Sequence, residues 1–466
     1  MVFKLKLVLI AAVIVAVLET SSETIKDRIA QLKSSYRDYE AKNLVLFIGD
    51  GMGLSSISAA RSLRGQLHPN KLEQLLTLES LPYTGLIDTH CQGTFSSESG
   101  CTASAIFSGI KQIPKTLGIS NVEAGNCDIE KLKKAKFNTI LDLAKASNMK
   151  VGIVTNTRIT HATPAALYAK TSNRFWTMSQ YIPKDCDVES IGEQFEKRIH
   201  EFDVAFGGGL KHLPSHIAGK DMSSAFPNVH FLTTAKELKN FKKSQDSKPV
   251  IGVFAEDHLY NAINKSDKKE PSLSSMVSRA IDFLENKNGY VLVVENGIID
   301  MYHHRSFLYK SLKEVLALDD VVNETLERVN LDDTLVIVTS DHATSFTFSG
   351  YNRGVFEYPM FNQSILNTSF MIYAHGRRGF KPGDEKQIID NINKRYPSMI
   401  KDEAGGTHGM SNVYIGADGP RAFLLTGVHE QTYIFKVIEY AIGFNRHSGA
   451  PTLIAMTVSI IFLVIS

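Results

Sequence analysis

The chain has 466 residues, of which 43% are hydrophobic and 21% are charged, a composition that indicates a globular protein and excludes a disordered or fibrous one. Its formal net charge is only +2, so it lacks the basic excess of nucleic-acid-binding proteins, and we expect no nucleic-acid partner. This length accommodates one large α/β domain or two to three smaller ones.

The first element is a segment with the pattern of a secretory signal peptide. Lys4 and Lys6 precede an uncharged run at 7–18, and small polar residues follow at 20–22. A basic region, an apolar region and small residues at a cleavage point are typical of secretion signals. We therefore predict a signal peptide over residues 1–22, with a buried N-terminal helix as the alternative.

Five short apolar runs follow and alternate with helical patterns; they are 43–51, 150–157, 203–209, 290–297 and 334–342. Continuous apolar runs between helices predict strands that are buried on both faces of a mostly parallel sheet. Helix-spaced apolar residues predict helices at 273–284 and 312–329. The prediction is one α/β catalytic domain over residues 23–445, with a large central, mostly parallel sheet flanked by helices.

The C-terminal part contains two further segments of distinct composition. Residues 353–406 are rich in Gly, Pro, Asn and charged residues without periodicity, which predicts a loop-rich cap insertion. Residues 453–465 carry no charge and are shorter than the roughly 20 residues of a spanning helix. Small residues precede them, so we predict a GPI-attachment signal at 446–466, with Gly443 and Asn445 as open attachment points. A simple tail anchor or a docked final helix is the alternative.

Secretion would bring the cysteines into an oxidising compartment and expose glycosylation motifs. Cys127 and Cys186 both lie in polar loop sequence and are the expected disulfide pair. Four sequons agree with a secreted glycoprotein. They are Asn264, Asn323, Asn362 and Asn367. Because of the predicted GPI signal, we expect this glycoprotein at the outer face of the plasma membrane.

Acidic residues end three of the predicted strands. Asp50 follows the first run, Glu295 ends the fourth, and Asp341 with His342 ends the fifth. Ligands bind at the carboxyl ends of strands in an open parallel sheet. One such carboxylate could simply cap a helix, but three brought together repel one another unless cations are bound. The pattern therefore predicts a metal site, and the glycines of GDGMG let the backbone approach it closely.

A second set of metal-binding residues lies later in the chain. Asp300 and His304 are four residues apart, which places both on one face of a helix. His408, in the glycine-rich stretch AGGTHGM, could complete the set from a distant loop. An Asp-His-His set with an open position suits a catalytic zinc ion. The alternative is a surface Asp-His pair without a metal.

The stretch FSSESGCTASA, at 95–105, offers a nucleophile at the start of a helix predicted to run to about Ile110. A serine there would benefit from the helix dipole and the free N–H groups, which favour an alkoxide and then an anion. The alternative is that Ser96, Ser97 or Ser99 only caps the helix. The G-x-S-x-G elbow of serine hydrolases does not match this stretch.

Taken together, these residues resemble the metal-dependent alkaline phosphatases, particularly the animal GPI-anchored branch. The resemblance runs from about residue 43 to residue 443. It implies an enzyme that hydrolyses phosphate monoesters through a phosphoserine on Ser99. It also implies two zinc ions, one magnesium ion and a homodimer. It rests on an ordered series of motifs: NLVLFIGDGMG, ESGCTASAIFSGIK, VTNTRITHATPAALYA, SNRFW, DVAFGGG, VVENGIIDMYHH, TSDHATSFTFSGY, GGTHG and GVHEQTYI.

The resemblance also implies a role for each matching position. Arg174, in SNRFW, would hold two phosphoryl oxygens, a geometry that a guanidinium provides well. The pair Cys127 and Cys186 matches a family disulfide. The implied metal ligands are Asp300, His304 and His408 for the first zinc, Asp341 and His342 for the second, Asp50 between the second zinc and magnesium, and Thr163 and Glu295 for magnesium, with His161 nearby.

The sequence departs from the family pattern beside the nucleophile. Glu98 stands where the family has an aspartate that steadies the phosphate-binding arginine, and its extra methylene predicts altered phosphate affinity with activity retained. Met301 and Thr344 replace frequent histidines, and Ala255 stands where a calcium-binding glutamate is expected, which weakens the calcium site of the animal branch.

Two other functions remain as alternatives. One is a phosphodiesterase, pyrophosphatase or sulfatase of the same superfamily; the sequence lacks the Cys/Ser-x-Pro-x-Arg segment of sulfatases, and phosphodiesterases usually lack the carboxylate that Glu295 represents. The other is a catalytically degenerate surface protein that binds phosphate or a partner. The presence of every implied metal ligand argues against degeneracy.

Overall fold

The computed structural model describes residues 25–68, 74–214, 226–242, 248–259, 269–348, 371–376, 398–401 and 407–444. The predicted signal peptide, the predicted attachment signal and most of the predicted cap insertion lie outside the described residues. Within these ranges, no helix combines the length and the apolar character that a membrane span requires.

A ten-stranded sheet forms the centre of the described structure. Strands are numbered in chain order, and β9 to β13 belong to two smaller sheets described below. The strands of the central sheet are β1 (Asn43–Gly49), β2 (Tyr83–Asp88), β3 (Lys150–Arg158), β4 (Val204–Gly208), β5 (His230–Leu232), β6 (Val250–Val253), β7 (Tyr290–Asn296), β8 (Thr334–Thr339), β14 (Val413–Asp418) and β15 (Gly427–Glu430). Their order across the sheet is β15-β2-β14-β8-β1-β7-β3-β4-β6-β5. Only β14 runs antiparallel to its neighbours, and the other pairings are parallel. The predicted mostly parallel sheet is confirmed.

Strand β1 shows why the apolar runs are continuous. Leu44, Leu46 and Ile48 pack into a hydrophobic cluster on one face of the sheet. Val45 and Phe47, which alternate with them, pack into a second cluster on the other face. Since successive side chains of a strand point to opposite faces, a strand covered on both faces has no polar positions.

Helices cover both faces of the sheet. They are α1 (Ile25–Ser35), α2 (Leu54–Leu67), α3 (Ser99–Ser108), α4 (Ile129–Ala135), α5 (Ile140–Ala146), α6 (Ala162–Tyr168), α7 (Ile191–Arg198), α8 (Ala235–Asn240), α9 (Leu273–Leu284), α10 (Ile298–His304), α11 (Leu308–Arg328) and α12 (Thr432–Ile442). Helix α9 has the predicted bounds. Helix α11 begins four residues earlier than predicted, because Leu308 is already fully buried and starts its apolar face.

Two small sheets lie outside the central one. One joins β10 (Phe346–Phe348), β11 (Met371–Gly376) and β12 (Ser398–Lys401), so the predicted cap insertion contains strands as well as loops. The other pairs β9 (Ala343–Thr344) with β13 (His408–Gly409), and places His408 opposite Thr344. This short pairing connects the distant His408 loop to the end of β8.

Two disulfides are present in the described part of the chain. The predicted Cys127–Cys186 pair is confirmed. The second joins Cys91 to Cys101, over a separation of only 10 residues, and we did not predict it from the sequence. It is formed because the segment after β2 folds back against the first turn of α3, a proximity that the spacing alone does not reveal.

Candidate active site

The carboxyl ends of the central strands carry the predicted acidic residues. Asp50 directly follows β1, Asp341 and His342 follow β8, and Glu295 lies near the end of β7. All four side chains are fully buried. Because β1 pairs in parallel with both β7 and β8, the three strand ends lie side by side at one edge of the sheet.

The glycine after Asp50 is required by the local geometry. Gly51 has a φ of +70°, and a Cβ there would lie 2.7 Å from Oδ1 of Asp300. Its backbone N–H donates to Oδ1 of Asp341 at 3.1 Å. A side chain at this position would be strained and would separate the strand-end carboxylates from Asp300.

The predicted Asp-His-His set comes together. On α10, Nε2 of His304 lies 2.9 Å from Oδ2 of Asp300. Nε2 of His408 lies 3.1 Å from Nε2 of His304 and 3.7 Å from Oδ1 of Asp300. His303 points elsewhere and bonds through Nδ1 to the hydroxyl of Tyr373 at 2.8 Å. Three potential ligand atoms therefore converge at this point.

A second group lies next to the first. Nε2 of His342 lies 3.4 Å from Oδ1 of Asp50 and 3.4 Å from Oδ2 of Asp341. Its ring stacks on the ring of His408, with 3.7 Å between the centroids. Burial lowers the pKa of His342 well below its usual value, which keeps the imidazole in the neutral form that binds metals.

A third group consists of Asp50, His161 and Glu295, whose nearest potential ligand atoms lie within 4.8 Å of one another. The fully buried Thr163, in the first turn of α6, has no hydrogen-bond partner for its hydroxyl among the described residues. One oxygen of Glu295 accepts a hydrogen bond from Thr157 at 2.9 Å. Asp50 thus belongs to two groups, as a bridging ligand would.

The electrostatics of these groups fit bound cations. Burial and then the charges of Asp341 and Asp300 raise the pKa of Asp50 well above its usual value. Burial, followed by Asp300, raises the pKa of Asp341 to about 8. Converging buried carboxylates repel one another unless a cation or proton neutralises them. Several ligand-type atoms have no hydrogen-bond partner among the described residues: Asp50 Oδ1, Thr163 Oγ1, Glu295 Oε1, Asp300 Oδ1 and Asp341 Oδ2.

Ser99 begins α3 and faces these groups. Its Oγ lies 3.4 Å from Oδ2 of Asp50 and 3.3 Å from Nε2 of His342. The alternative that a serine caps the helix is wrong, because Glu98 is the N-cap and accepts from the N–H groups of Gly100 and Cys101 at 3.0 and 2.8 Å. The Ser99 hydroxyl is therefore not used as the cap.

The end of α3 also differs from the prediction. The helix ends at Ser108 instead of about Ile110, because Gly109 adopts a left-handed conformation with a φ of 70° and closes the last turn onto Ala105. Glycine is favoured at this position because it has no Cβ.

Arg174 reaches the same site through an ion pair with Glu98. A second contact fixes Glu98, since the backbone N–H of Lys115 donates to its Oε1 at 2.8 Å. Burial opposes ionisation of Glu98, but the charge of Arg174 and these hydrogen bonds outweigh it and hold the pKa of Glu98 below its usual value. The guanidinium is thus held by the ionised carboxylate of Glu98, the residue that directly precedes Ser99.

Sequence reasoning missed two hydroxyls that support Glu295. Thr155 and Thr157, on β3, both donate to Oε2 of Glu295, and they also contact each other at 2.8 Å. Their two-residue spacing places them on one face of the strand, a signal that VTNT does contain. These bonds lower the pKa of Glu295, but burial dominates and raises it to about 7.

Comparison with known proteins agrees with this geometry. A family model described as alkaline phosphatase matches residues 41–444. The chain is 33% identical to the tissue-nonspecific isozyme of alkaline phosphatase from Gallus gallus, over 92% of this chain and 89% of that protein. It is 32% identical to the corresponding isozyme from Homo sapiens, over 88% of this chain and 86% of that protein.

The chain belongs to the alkaline phosphatase family.

Solved alkaline phosphatases share the fold. The enzyme from Thermus thermophilus superposes with a TM-score of 0.65 at 22% identity, over 88% of this chain and 93% of that one. The alkaline phosphatase from the Antarctic bacterium TAB5 gives a TM-score of 0.61 at 22% identity, over 87% of this chain and 99% of that one. The resemblance to the alkaline phosphatases is confirmed, and the chain is a metal-binding hydrolase of phosphate monoesters.

One of the four predicted glycosylation sites, Asn323, lies within the described residues of this alkaline phosphatase. Asn323 lies on α11, and its amide donates to Oε1 of Glu327 at 2.8 Å. Thr325 of the same sequon is buried. The other three, Asn264, Asn362 and Asn367, lie outside the described residues.

Proposed function

We propose that this phosphatase forms a phosphoserine on Ser99. The observation that carries the proposal is the position of the Ser99 Oγ, which lies at the N-terminus of α3, within 3.4 Å of Asp50 and His342, next to the Glu98–Arg174 ion pair. A nucleophile, groups that can neutralise it and a guanidinium for the phosphoryl oxygens thus lie together.

We assign two zinc ions and one magnesium ion to the three groups of ligand-type atoms. Sets that include histidine nitrogen suit zinc, and the oxygen ligands Asp50, Thr163 and Glu295 suit magnesium. When bound, such ions lower the pKa of a coordinated hydroxyl and stabilise negative charge on phosphate ester oxygens. The proposed ligands are Asp300, His304 and His408 for one zinc, Asp341, His342 and Asp50 for the other, and Asp50, Thr163 and Glu295 for magnesium, with His161 beside the magnesium site.

The residues of the chain would act in two displacements. The Ser99 hydroxyl gives up its proton to water, and Oγ attacks phosphorus while the bond from phosphorus to the ester oxygen breaks. The alcohol leaves with a proton that water returns. Water then attacks the phosphoserine, the bond between phosphorus and Oγ breaks, and Ser99 regains a proton. Arg174 holds two phosphoryl oxygens in both steps, because its planar donors match their geometry.

A comparison of two serine variants tests the assignment. Ser99→Ala should abolish hydrolysis of p-nitrophenyl phosphate at alkaline pH with zinc and magnesium present, and no labelled phosphate should remain on the acid-quenched protein. Ser96→Ala, an exposed position in the same loop, is the matched control and should keep both signals. Undiminished turnover by Ser99→Ala would refute the proposed nucleophile, and no turnover by the wild type would favour a degenerate phosphate-binding protein.

We further propose that the enzyme is a glycosylated homodimer at the outer face of the plasma membrane. This proposal comprises a signal peptide at 1–22, a catalytic domain at 23–445 with a cap insertion at 353–406, and a GPI signal at 446–466. A relative from Bombyx mori, 29% identical over 91% of this chain, is described as a membrane-bound alkaline phosphatase, which supports the location. Release of activity from intact cells by a phosphatidylinositol-specific phospholipase C would test the anchor, and light scattering would test the dimer.

A further inference from the structure

A cavity of about 410 Å³ opens beside Arg174. Arg174 and His161 form part of its wall, so the cavity adjoins the group that we propose to hold the phosphoryl oxygens. Phe175, Tyr181 and Thr160 also line it. An ester whose phosphoryl group lies against Arg174 would therefore have this space available for its alcohol portion.

Two aromatic side chains at the cavity are unusually exposed. Phe175 is 60% exposed and Tyr181 is 50% exposed. The Phe175 ring centroid lies 5.7 Å from Cζ of Arg174, so the ring is next to the guanidinium. In contrast, the neighbouring Trp176 is 4% exposed and packs into the protein. Large apolar rings at the entrance of a concave site offer surface that a ligand can bury.

The inner wall of the cavity is polar. Thr160 is 1% exposed, and its hydroxyl has no hydrogen-bond partner within the described ranges. His212 also lines the cavity, and burial lowers its pKa to about 4. Thr160 and His212 therefore give the inner end of the cavity a polar lining.

We propose that this cavity is a leaving-group subsite that favours phosphate monoesters of alcohols carrying an aromatic ring. The inference rests on the proposed function, because it takes Arg174 as the phosphoryl-binding residue. The ring of the alcohol packs against Phe175 and Tyr181 in offset or edge-to-face contact. Aromatic pairs of this kind change binding by roughly 2- to 12-fold beyond the effect of buried area.

Two matched substrates isolate the effect of the aromatic ring. The alcohols of 2-phenylethyl phosphate and 2-cyclohexylethyl phosphate have similar size and similar leaving-group chemistry, but only the first has a π face. The metal-loaded enzyme should show a kcat/KM that is roughly 2- to 12-fold higher for the phenyl substrate. The double variant Phe175→Leu/Tyr181→Leu keeps apolar side chains and should bring this ratio close to one.

The control is Phe95→Leu, which removes an aromatic ring that is 88% exposed and lies outside the cavity lining. This variant should keep the wild-type ratio. Equal kcat/KM values for the two substrates in the wild type would overturn the proposal, as would an unchanged ratio in the double variant. An equal loss for both substrates, together with weaker inhibition by inorganic phosphate, would also overturn it, because it would mean that Phe175 only positions Arg174.

Binding without turnover separates the subsite from the proposed nucleophile. Calorimetry with the metal-loaded Ser99→Ala variant should show tighter binding of 2-phenylethyl phosphonate than of 2-cyclohexylethyl phosphonate. If wild-type turnover depends on another nucleophile but this preference is observed, the phosphoserine proposal fails and the subsite stands. If the two phosphonates bind equally, the subsite proposal fails whatever the outcome for Ser99.

Discussion

Glu98 and Arg174 form a largely buried ion pair one residue from the proposed nucleophile, Ser99. The Glu98 carboxylate also caps α3 and accepts from the backbone of Lys115. One side chain therefore contacts both the helix that presents the serine and the guanidinium of Arg174. The longer glutamate, in place of the aspartate common in the family, does not disconnect the arginine.

The first prediction concerns this ion pair. Glu98→Gln should raise the inhibition constant for inorganic phosphate about tenfold, because Arg174 loses its charged partner and spends more time in other rotamers. The KM should rise more than kcat falls, since Ser99 itself is unchanged. Glu130→Gln, which removes an exposed ion pair with Lys133, is the control and should leave phosphate inhibition unaltered. A normal inhibition constant in Glu98→Gln would show that Glu98 does not position the arginine.

The second prediction concerns metal removal. A ligand that binds only the folded state stabilises it by about 2.7 kcal/mol at 100 times its Kd. Chelation should therefore lower the Tm as well as the activity, and added zinc and magnesium should restore both. Asp50→Asn should reduce this recovery because Asp50 belongs to two ligand groups. Asp332→Asn, at a carboxylate that is 71% exposed, should recover like the wild type. A Tm that chelation leaves unchanged would contradict the proposed ions.

The third prediction is that Glu314→Gln stabilises the protein at high pH. Burial raises the pKa of Glu314 to about 7, with only partial compensation by a hydrogen bond from Asn296. Because the pKa in the folded protein lies above the unfolded value of about 4.5, the protein loses stability as the pH rises through 7. Glu314→Gln removes this loss and should raise the unfolding free energy at about pH 9 by up to about 3 kcal/mol.

The same substitution gives its own control at low pH. Below the unfolded pKa the wild-type carboxyl is protonated in both states, so Glu314→Gln should bring no gain at about pH 4. Urea unfolding at the two pH values measures the difference. An equal effect at both values would attribute the change to packing instead of charge.

The fourth prediction concerns the disulfide that encloses the nucleophile loop. Replacing Cys91 and Cys101 by serine should lower the unfolding free energy by about 3 kcal/mol or less, as expected for a closed loop of about ten residues. It should also weaken inhibition by phosphate, because Cys101 lies in the first turn of α3 and donates its N–H to Glu98. The matched control, Cys127→Ser/Cys186→Ser, opens a loop with a separation of 59 residues and should affect stability without changing phosphate inhibition.

Much of the fold was evident in the amino-acid order. The five apolar runs correspond to β1, β3, β4, β7 and β8, because strands buried on both faces need continuous apolar sequence. The i,i+4 spacing brought Asp300 and His304 onto one face of α10, since helical geometry is local. The strand-end carboxylates were likewise predicted to meet, because parallel strands share one edge for their carboxyl ends.

Other features depended on contacts that are distant in sequence. The pairing of β9 with β13 brings His408 to His304 across 104 positions, and only the folded chain determines that distance. The Cys91–Cys101 bond and the capping role of Glu98 follow from how the segment after β2 turns into α3. The cavity beside Phe175 and Tyr181 likewise arises from packing.

The sequence by itself determined the sheet, the family and the kinds of ligand residues, because these depend on local periodicity and motif order. The tertiary structure decided which groups share Asp50, what holds Arg174 and where the cavity beside it lies, because these depend on distances between segments that the chain order does not specify.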